Sequence, residues 1–362
     1  MRPTVARVDL GAIVANFHAI RQRSKRRVLA VVKADAYGHG AGPVAGALER
    51  AGADFFCVAM AEEGVALRRA GIRSPILMLS SADPREVGLY RGMGLTPALA
   101  SVEQIRQFAQ ATATFREPLA VHVKFDTGLT RLGIFPEEAG DAAALLSTAK
   151  GLRVEAAFSH FSHGEDPGHP SRARQTEASH AAFSALRSAG VRFAWTHLAN
   201  SGGSLEEETG GDAVRPGLLL YGVSPGPAVS GLRAALSWET EIAAMKTVPA
   251  GTPVGYGGTF VTARPSRLAV LPVGYDDGYR RSFSGRVPVL LPKGFAPTVG
   301  AISMDLTVCD ATDAGAERGD RVVLLGETDR GSISATDLSR AAGTISYEIL
   351  CGIGARVPRR HA

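Results

Sequence analysis

From about residue 28 to residue 220 the sequence repeats one pattern eight times. A short apolar or β-branched run is followed by a longer stretch of helical character, often closed by glycine. The runs are Val28–Val32, Phe55–Ala59, Ile76–Leu79, Pro97–Ala100, Ala120–Lys124, Val154–Ser159, Phe193–Leu198 and Val214–Leu220. Between them the spacing predicts helices over Pro43–Arg50, Ala61–Ala70, Val102–Ala111, Glu137–Ala149 and Gln175–Ser188. Gly52, Gly71, Gly151 and Gly190 stand where a left-handed residue closes a helix. Ser101 with Gln104 has the spacing of a capping box. A doubly wound sheet usually needs fewer strands, so eight βα units in this length point to an α/β fold built as a (β/α)8 TIM-type barrel.

Past about residue 230 the texture changes to alternating stretches separated by Gly/Pro turns, among them Ser237–Met245, Leu268–Pro272 and Arg321–Leu325. These predict a second, mostly antiparallel β domain. A chain of 362 residues is too long for one ordinary core. The expected division is therefore 1–229 for the barrel and 230–362 for the β domain, with the first residues pairing with the latter. Pro225, Gly226 and Pro227 would form a short stiff linker at the junction.

The 40 basic and 35 acidic residues are dispersed, so the net charge of +5 gives no concentrated patch for nucleic acid. Three cysteines, Cys57, Cys309 and Cys351, show no CxxC pair, which argues against a disulfide framework or a cysteine-based metal site and fits a reducing compartment. The N-terminal stretch lacks a continuous apolar segment and no later run approaches ~18 apolar residues. A cytoplasmic protein that does not span a membrane is expected.

In a barrel of this kind the chemistry sits at the C-terminal ends of the strands and in the loops that follow. That filter selects Lys33 after the first strand, Lys124 and Asp126 after the fifth with Arg131 in the next loop, and His160 after the sixth. It also selects His197, Asn200 and Ser201 around the seventh, and Arg215 and Gly217 in the eighth. Lys33 follows the apolar Val31 and Val32. It is either an exposed charge closing a strand or a desolvated amine whose lowered pKa suits Schiff-base chemistry. Tyr37, Ser201 and the amides near Gly217 and Leu218 would suit a phosphate, because hydroxyls and N–H groups donate without adding charge. Neither GxGxxG nor a Walker A pattern occurs, so nucleotide binding has no support.

The segments VVKADAYGHG, VKFDTGLTRLG, FSHF, HLANSGG, VRPGLLLYG, GYGGTF, PVGYDDGY, SMD and SYEILC with ARVPR run in order through nearly the whole chain. Together they resemble the bacterial alanine racemases, a fold type III family dependent on pyridoxal 5′-phosphate. The resemblance implies a barrel with a C-terminal β domain and a homodimer whose active sites draw on both subunits. It implies that Lys33 holds the cofactor and that Tyr256 comes from the other subunit. Inverting Cα requires a base on each face, so Lys33 would serve the D-alanine proton and Tyr256 the L-alanine proton, through an external aldimine. Tyrosine has a reference pKa of about 10, so nearby positive charge would have to depress that of Tyr256.

The same resemblance places Arg215 on the pyridine nitrogen with His197 behind it. Guanidinium is effectively always protonated, so the ring nitrogen would stay unprotonated and side reactions would be limited. Tyr37, Ser201, Gly217, Leu218 and Tyr347 correspond to the phosphate pocket, with Asn200 among the cofactor-binding residues. His160 lies beside the ring. Arg131 corresponds to an arginine on the cofactor's phenolic oxygen and the substrate carboxylate, and Met304, contributed by the other subunit, to a backbone amide on that carboxylate. Lys124 matches a lysine that is carbamylated in some members, Tyr275 and Tyr347 a pair narrowing the entrance, and Asp305 a supporting residue. The implied role is D-alanine supply for peptidoglycan.

Two positions depart from the pattern of many members. Asp276 stands in GYDDG where GYADG is common, and Ala301 stands where an arginine precedes I-x-M-D. Both bear on gating and substrate tolerance. A serine or broad-specificity racemase remains an alternative, as does a pyridoxal-phosphate amino-acid decarboxylase of the same architecture. The latter would require an acidic partner for the pyridine nitrogen where this chain has Arg215, and Cys309-Asp310 lacks the glycine expected after its catalytic Cys-Asp pair. A single-barrel cofactor carrier would need neither the second domain nor Tyr256.

Overall fold

The computed structural model describes residues 2–206 and 210–362. The chain divides into two compact units, one comprising residues 13–36 and 40–233, the other residues 1–12, 37–39 and 234–362.

The first unit is a closed parallel barrel of eight strands taken in chain order. They are Arg27–Val31, Phe55–Val58, Ile76–Ser81, Leu95–Leu99, Leu119–Lys124, Leu152–Phe158, Trp195–His197 and Ala213–Val214. The ring closes where Arg27 and Val28 pair with Ala213 and Val214. Phe55–Val58 and Leu95–Leu99 are buried along their whole length, as expected of strands that face side chains within the barrel on one side and helices on the other. That double burial explains why the sequence shows apolar runs rather than alternation.

Several boundaries differ from the sequence expectation, each for a local reason. The eighth strand was expected to reach Leu220, yet it ends at Val214. Pro216 has no N–H for a ladder, and the chain then winds Leu218–Tyr221 into a 3-10 turn. The helix expected from Gln175 begins at Pro170, where proline occupies the first turn and the His169 ring accepts the Ser171 N–H at 3.2 Å. Ser101 does cap its helix by accepting the Gln104 N–H, but the Gln104 side chain reaches back to the Ala100 N–H rather than to that of Ser101. Gly52, Gly71 and Gly190 have φ of +86°, +90° and +84°. Gly151 does not share that region; a Cβ there would lie 2.2 Å from the Thr112 carbonyl, so close approach rather than handedness requires glycine.

The second unit is mostly antiparallel. Its larger sheet runs Gly294–Pro297, Pro288–Leu291, Arg321–Thr328, Leu236–Glu241, Val5–Val8 and Arg359–His361, with Gly331–Ile333 added to the third. Val5–Val8 is antiparallel to Leu236–Glu241 and parallel to Arg359–His361. Ser237–Met245, expected as one stretch, is split by the turn at Ile242 and Ala243 into Leu236–Glu241 and Ala244–Val248. The latter belongs to a three-stranded sheet with Ser266–Leu271 and Thr307–Asp310. A core of Trp238, Tyr279 and Phe283 packs edge to face, with centroids 5.7 and 5.1 Å apart. Two helices that strand patterning did not anticipate, Ala335–Ala342 and Ser346–Cys351, complete the unit; Ser334 with Asp337 forms a capping box before the first. Among the described residues no helix is long and apolar enough to cross a membrane.

Candidate active site

Lys33 does not simply end a strand. The first barrel strand stops at Val31 and Lys33 opens a helical turn in which Ala34, Asp35, Ala36 and Tyr37 all have φ between +52° and +54°. Four consecutive non-glycine residues in the left-handed region cost about 1–2 kcal/mol each, so the surroundings must impose this path. They do so with hydrogen bonds: the Ala34 N–H donates to the Glu63 carboxylate at 2.7 Å and the Ala36 N–H to the Val32 carbonyl at 2.9 Å. The Ala41 N–H donates to the Asp35 carboxylate at 2.7 Å. Glu63 also takes the Ala59 N–H at 2.6 Å, tying the turn to the loop after the second strand.

Arg215 is 2% exposed and is held rigidly. One terminal nitrogen donates to Nδ1 of His197 and to its carbonyl at 3.1 Å; the other donates to the carbonyls of Ser159 and Leu198, at 2.8 and 2.9 Å, and to His160 Nδ1 at 3.1 Å. Among the described residues no carboxylate contacts it. Burial lowers its pKa to about 10, which still leaves it charged at neutral pH. The same burial, reinforced by the Arg215 charge, holds His160 and His197 well below the ordinary histidine range, so both imidazoles are neutral. With His197 Nδ1 accepting from Arg215, its Nε2 carries the proton and donates to His122 Nδ1 at 3.1 Å. His122 Nε2 is 3.7 Å from a Glu155 carboxylate oxygen, too long for a hydrogen bond.

Lys124 is buried, and its pKa falls to about 8. Desolvation is the main cause; Arg131, Arg215 and Lys33 add to it, and Asp126 partly offsets it. Asp126 is itself committed to the backbone. Its carboxylate accepts the N–H groups of Gly128, Leu129, Thr130 and Arg131 at 2.8–3.0 Å, which folds the KFDTGLTRLG segment and fixes the start of the Arg131 side chain. On the opposite arc Ser201 Oγ accepts the Gly217 N–H at 2.8 Å. Gly217 caps the turn Leu218–Tyr221, whose first N–H groups have no acceptor within the turn.

The barrel thus gathers Lys33, Lys124, Arg131, His160, His197, Asn200, Ser201, Arg215, Gly217 and Leu218 at the ends of its strands. Sequence reasoning gave no role to Glu63, His122 or Glu155. His122 was within reach of it, because residues two apart on a strand share a face and His122 is two before Lys124. The remaining predicted residues lie in the second unit. There the Tyr37 and Tyr347 rings are 5.8 Å apart. Tyr256 projects from the tip of the hairpin Pro253–Val254 and Phe260–Val261, between Gly255 and Gly257, both at positive φ, and is 74% exposed. Tyr275, Met304 and Asp305 are also exposed.

The rim fits an anionic group. The charges of Lys33, Lys124, Arg131 and Arg215 all bear on His160, the nearby carboxylate of Asp126 is spent on amides, and Ser201 Oγ, by accepting the Gly217 N–H, leaves its own O–H to donate to an oxyanion. Pyridoxal phosphate has that charge.

The chain matches the family model of the alanine racemase N-terminal domain over residues 8–225 and that of the alanine racemase C-terminal domain over residues 235–361. It is 43% identical to the alanine racemase of Symbiobacterium thermophilum over 99% of this chain and 97% of the relative. Among solved structures, the alanine racemase of Bacillus anthracis with bound L-Ala-P is 32% identical with a TM-score of 0.93, covering 100% of this chain and 95% of that one. The alanine racemase of Bartonella henselae with covalently bound pyridoxal phosphate is 32% identical with a TM-score of 0.92, covering 100% of both.

Proposed function

The chain belongs to the alanine racemase family, whose activity is the interconversion of L- and D-alanine, and from that premise we propose which of its residues carry the reaction and how. The observation that carries the proposal is the group of four cationic side chains that bear on His160, where the nearby Asp126 carboxylate is committed to backbone amides. Pyridoxal phosphate, when bound, supplies an electron sink that acidifies the Cα–H of an amino acid. Lys33 would hold it through Nζ and, once displaced by the substrate amine, move the D-alanine proton. Tyr256 would accept the L-alanine proton on the other face. Its exposure on its own chain supports a role completed by a second copy in a homodimer.

Arg215 would donate to the pyridine nitrogen. A guanidinium holds its proton at neutral pH and would not transfer it there, so the ring nitrogen would stay unprotonated. His197 and His122, neutral and ordered in one tautomeric sense, hold the guanidinium in place. The Ser201 hydroxyl and the Leu218 amide would supply phosphate donors, Gly217 would orient that hydroxyl through the N–H it donates to Ser201 Oγ, and Tyr37 and Tyr347 would add the hydroxyls that the resemblance assigns to the same group. His160 and Asn200 flank the ring. Arg131 and the Met304 amide take the substrate carboxylate, with Tyr275 and Asp305 at the entrance. Lys124, half-neutral near pH 8, suits capture of carbon dioxide; a carbamate there would replace a positive charge beside Arg131 with a negative one and so orient it. D-alanine supply for peptidoglycan in the cytoplasm is the setting that fits this activity.

The test is a panel of L-amino acids incubated with the protein and pyridoxal phosphate and resolved by chiral chromatography. Formation of D-alanine ahead of all other D-isomers is expected. D-serine in equal yield would make this a broad-specificity racemase, amine products a decarboxylase, and unchanged amino acids a carrier.

A further inference from the structure

Asp276, the departure that the family pattern leaves unexplained, belongs to a node where three segments of the second unit meet. The Tyr275 and Asp276 N–H groups donate to the carbonyls of Ser303 and Met304, at 3.0 and 3.1 Å, and the Gly354 N–H donates to the Asp277 carbonyl at 2.8 Å. These contacts are backbone to backbone. A Cβ on Gly274 would lie 2.3 Å from the Met304 carbonyl oxygen, and one on Gly278 would lie 2.1 Å from that of Gly352. The loops cannot slide past one another without breaking them.

Arg356 occupies the middle of this node and uses every edge of its guanidinium. Nε and one terminal nitrogen donate to the two oxygens of Asp277 at 2.7 and 3.1 Å. The same terminal nitrogen reaches Asp305 at 2.8 Å and the Met304 carbonyl at 3.3 Å. The other terminal nitrogen pairs with Asp276 at 2.7 Å. Asp277 is fully buried and also takes the Gly274 N–H at 2.9 Å and the Arg2 guanidinium. Asp276 is the chain neighbour of Tyr275, and Asp305 is the neighbour of Met304. One planar fork therefore grips the residue next to each, a geometry that an ammonium, with three donors on one point, cannot reproduce.

We propose that Arg356 is a positioning residue for racemisation, clasping Asp276, Asp277 and Asp305 so that the Met304 amide and the Tyr275 ring keep a fixed mutual register, and that Asp276 is this chain's added grip on the Tyr275 loop. The proposal rests on the assignment of Met304 to the substrate carboxylate and of Tyr275 to the entrance. Loosening the clasp shifts where the substrate is held and how wide the entrance stands. The chemistry at Lys33 is untouched. The effect accordingly falls on KM and on discrimination by size, not on kcat.

The experiment compares wild type, Arg356→Lys and Asp276→Ala as holoenzymes, measuring kcat and KM for L-alanine and the alanine-to-serine ratio of kcat/KM, with folding followed by circular dichroism. Arg356→Lys is expected to raise KM about ten- to a hundredfold through misplacement of the binding groups, leave kcat within a small factor, and lower the ratio. Asp276→Ala, which removes one exposed partner, is expected to move the same two quantities in the same direction by about two- to fivefold. A fall in kcat with KM and the ratio unchanged would make Arg356 merely structural and overturn the proposal. If Arg356→Lys does not fold, Asp276→Ala decides alone: unchanged KM and ratio overturn the claim. A wild type that fails to racemise alanine would instead remove the functional assignment itself.

Discussion

The strand ends of the barrel and the three-segment node of the second unit handle charge in opposite ways. On the barrel rim Lys33, Lys124, Arg131 and Arg215 crowd together, and the nearby Asp126 carboxylate is consumed by four amides. In the node one guanidinium, Arg356, is matched by Asp276, Asp277 and Asp305, with Arg2 as a second cation on Asp277. An excess of like charge at a desolvated site lowers the stability of the isolated fold and is a reason to expect an anionic ligand there. Charge answered within the unit holds loops in place. The contrast separates residues that bind and react from residues that position.

The largest expected break in that contrast is Lys33→Ala. It should abolish the visible imine band of the holoenzyme and reduce racemisation by about 10³-fold or more, read by absorbance and a coupled D-alanine assay. Next is Arg215→Lys, which keeps a charge but loses the fork. The two terminal nitrogens of Arg215 now serve the carbonyls of Ser159, His197 and Leu198, and each acceptor left unpaired in the interior costs about 1–3 kcal/mol. Urea unfolding of the holoenzyme should show that loss. A midpoint equal to wild type would mean the rim is less rigid than described. Glu63→Ala comes third. It leaves the Ala34 N–H of the left-handed turn and the Ala59 N–H of the loop after the second strand without their carboxylate acceptor, and should cost about 1–3 kcal/mol by the same measurement.

The smallest effects lie in pH dependence, where the two regions should part company. His160, His197 and His122 are kept neutral chiefly by burial, whereas the unfolded chain protonates them. As pH falls below about 6.5 the unfolded state binds protons that the native state refuses, so stability declines from there. Asp277 behaves differently. Burial alone would raise its pKa, but Arg356, the Gly274 N–H and Arg2 outweigh that and lower it. Its stabilisation is present above the unfolded value of 3.8 and is lost as pH falls through the lower folded one. Urea midpoints measured from pH 8 to 3 should show both windows, and Asp277→Asn should flatten only the more acidic one.

How much of this was legible in the sequence follows from where each constraint resides. The barrel strands were readable because burial on both faces leaves contiguous apolar runs, and the rim residues were readable because barrel chemistry gathers at strand ends. The eighth strand was overestimated because apolar Leu218–Leu220 continues the run, although Pro216 has already ended the ladder. The left-handed turn after Lys33 was invisible because Ala34 to Tyr37 contain no glycine to announce positive φ. What enforces it is Glu63, 29 residues from the Ala34 N–H that it accepts. Arg356 was invisible for the same reason on a longer scale, with 79 residues separating it from Asp277. Contacts of this kind exist only once the loops have met.

The central claim is that Lys33 and Tyr256 serve opposite faces of one Cα. Its most direct test is the rate of α-proton exchange with deuterated solvent in Tyr256→Phe, followed separately for L-alanine and D-alanine by proton NMR. Removing a positioned general base costs about 10²–10⁴-fold in the step that it serves. Exchange from L-alanine should fall by that order while exchange from D-alanine is largely retained; an equal fall for both enantiomers would contradict the assignment.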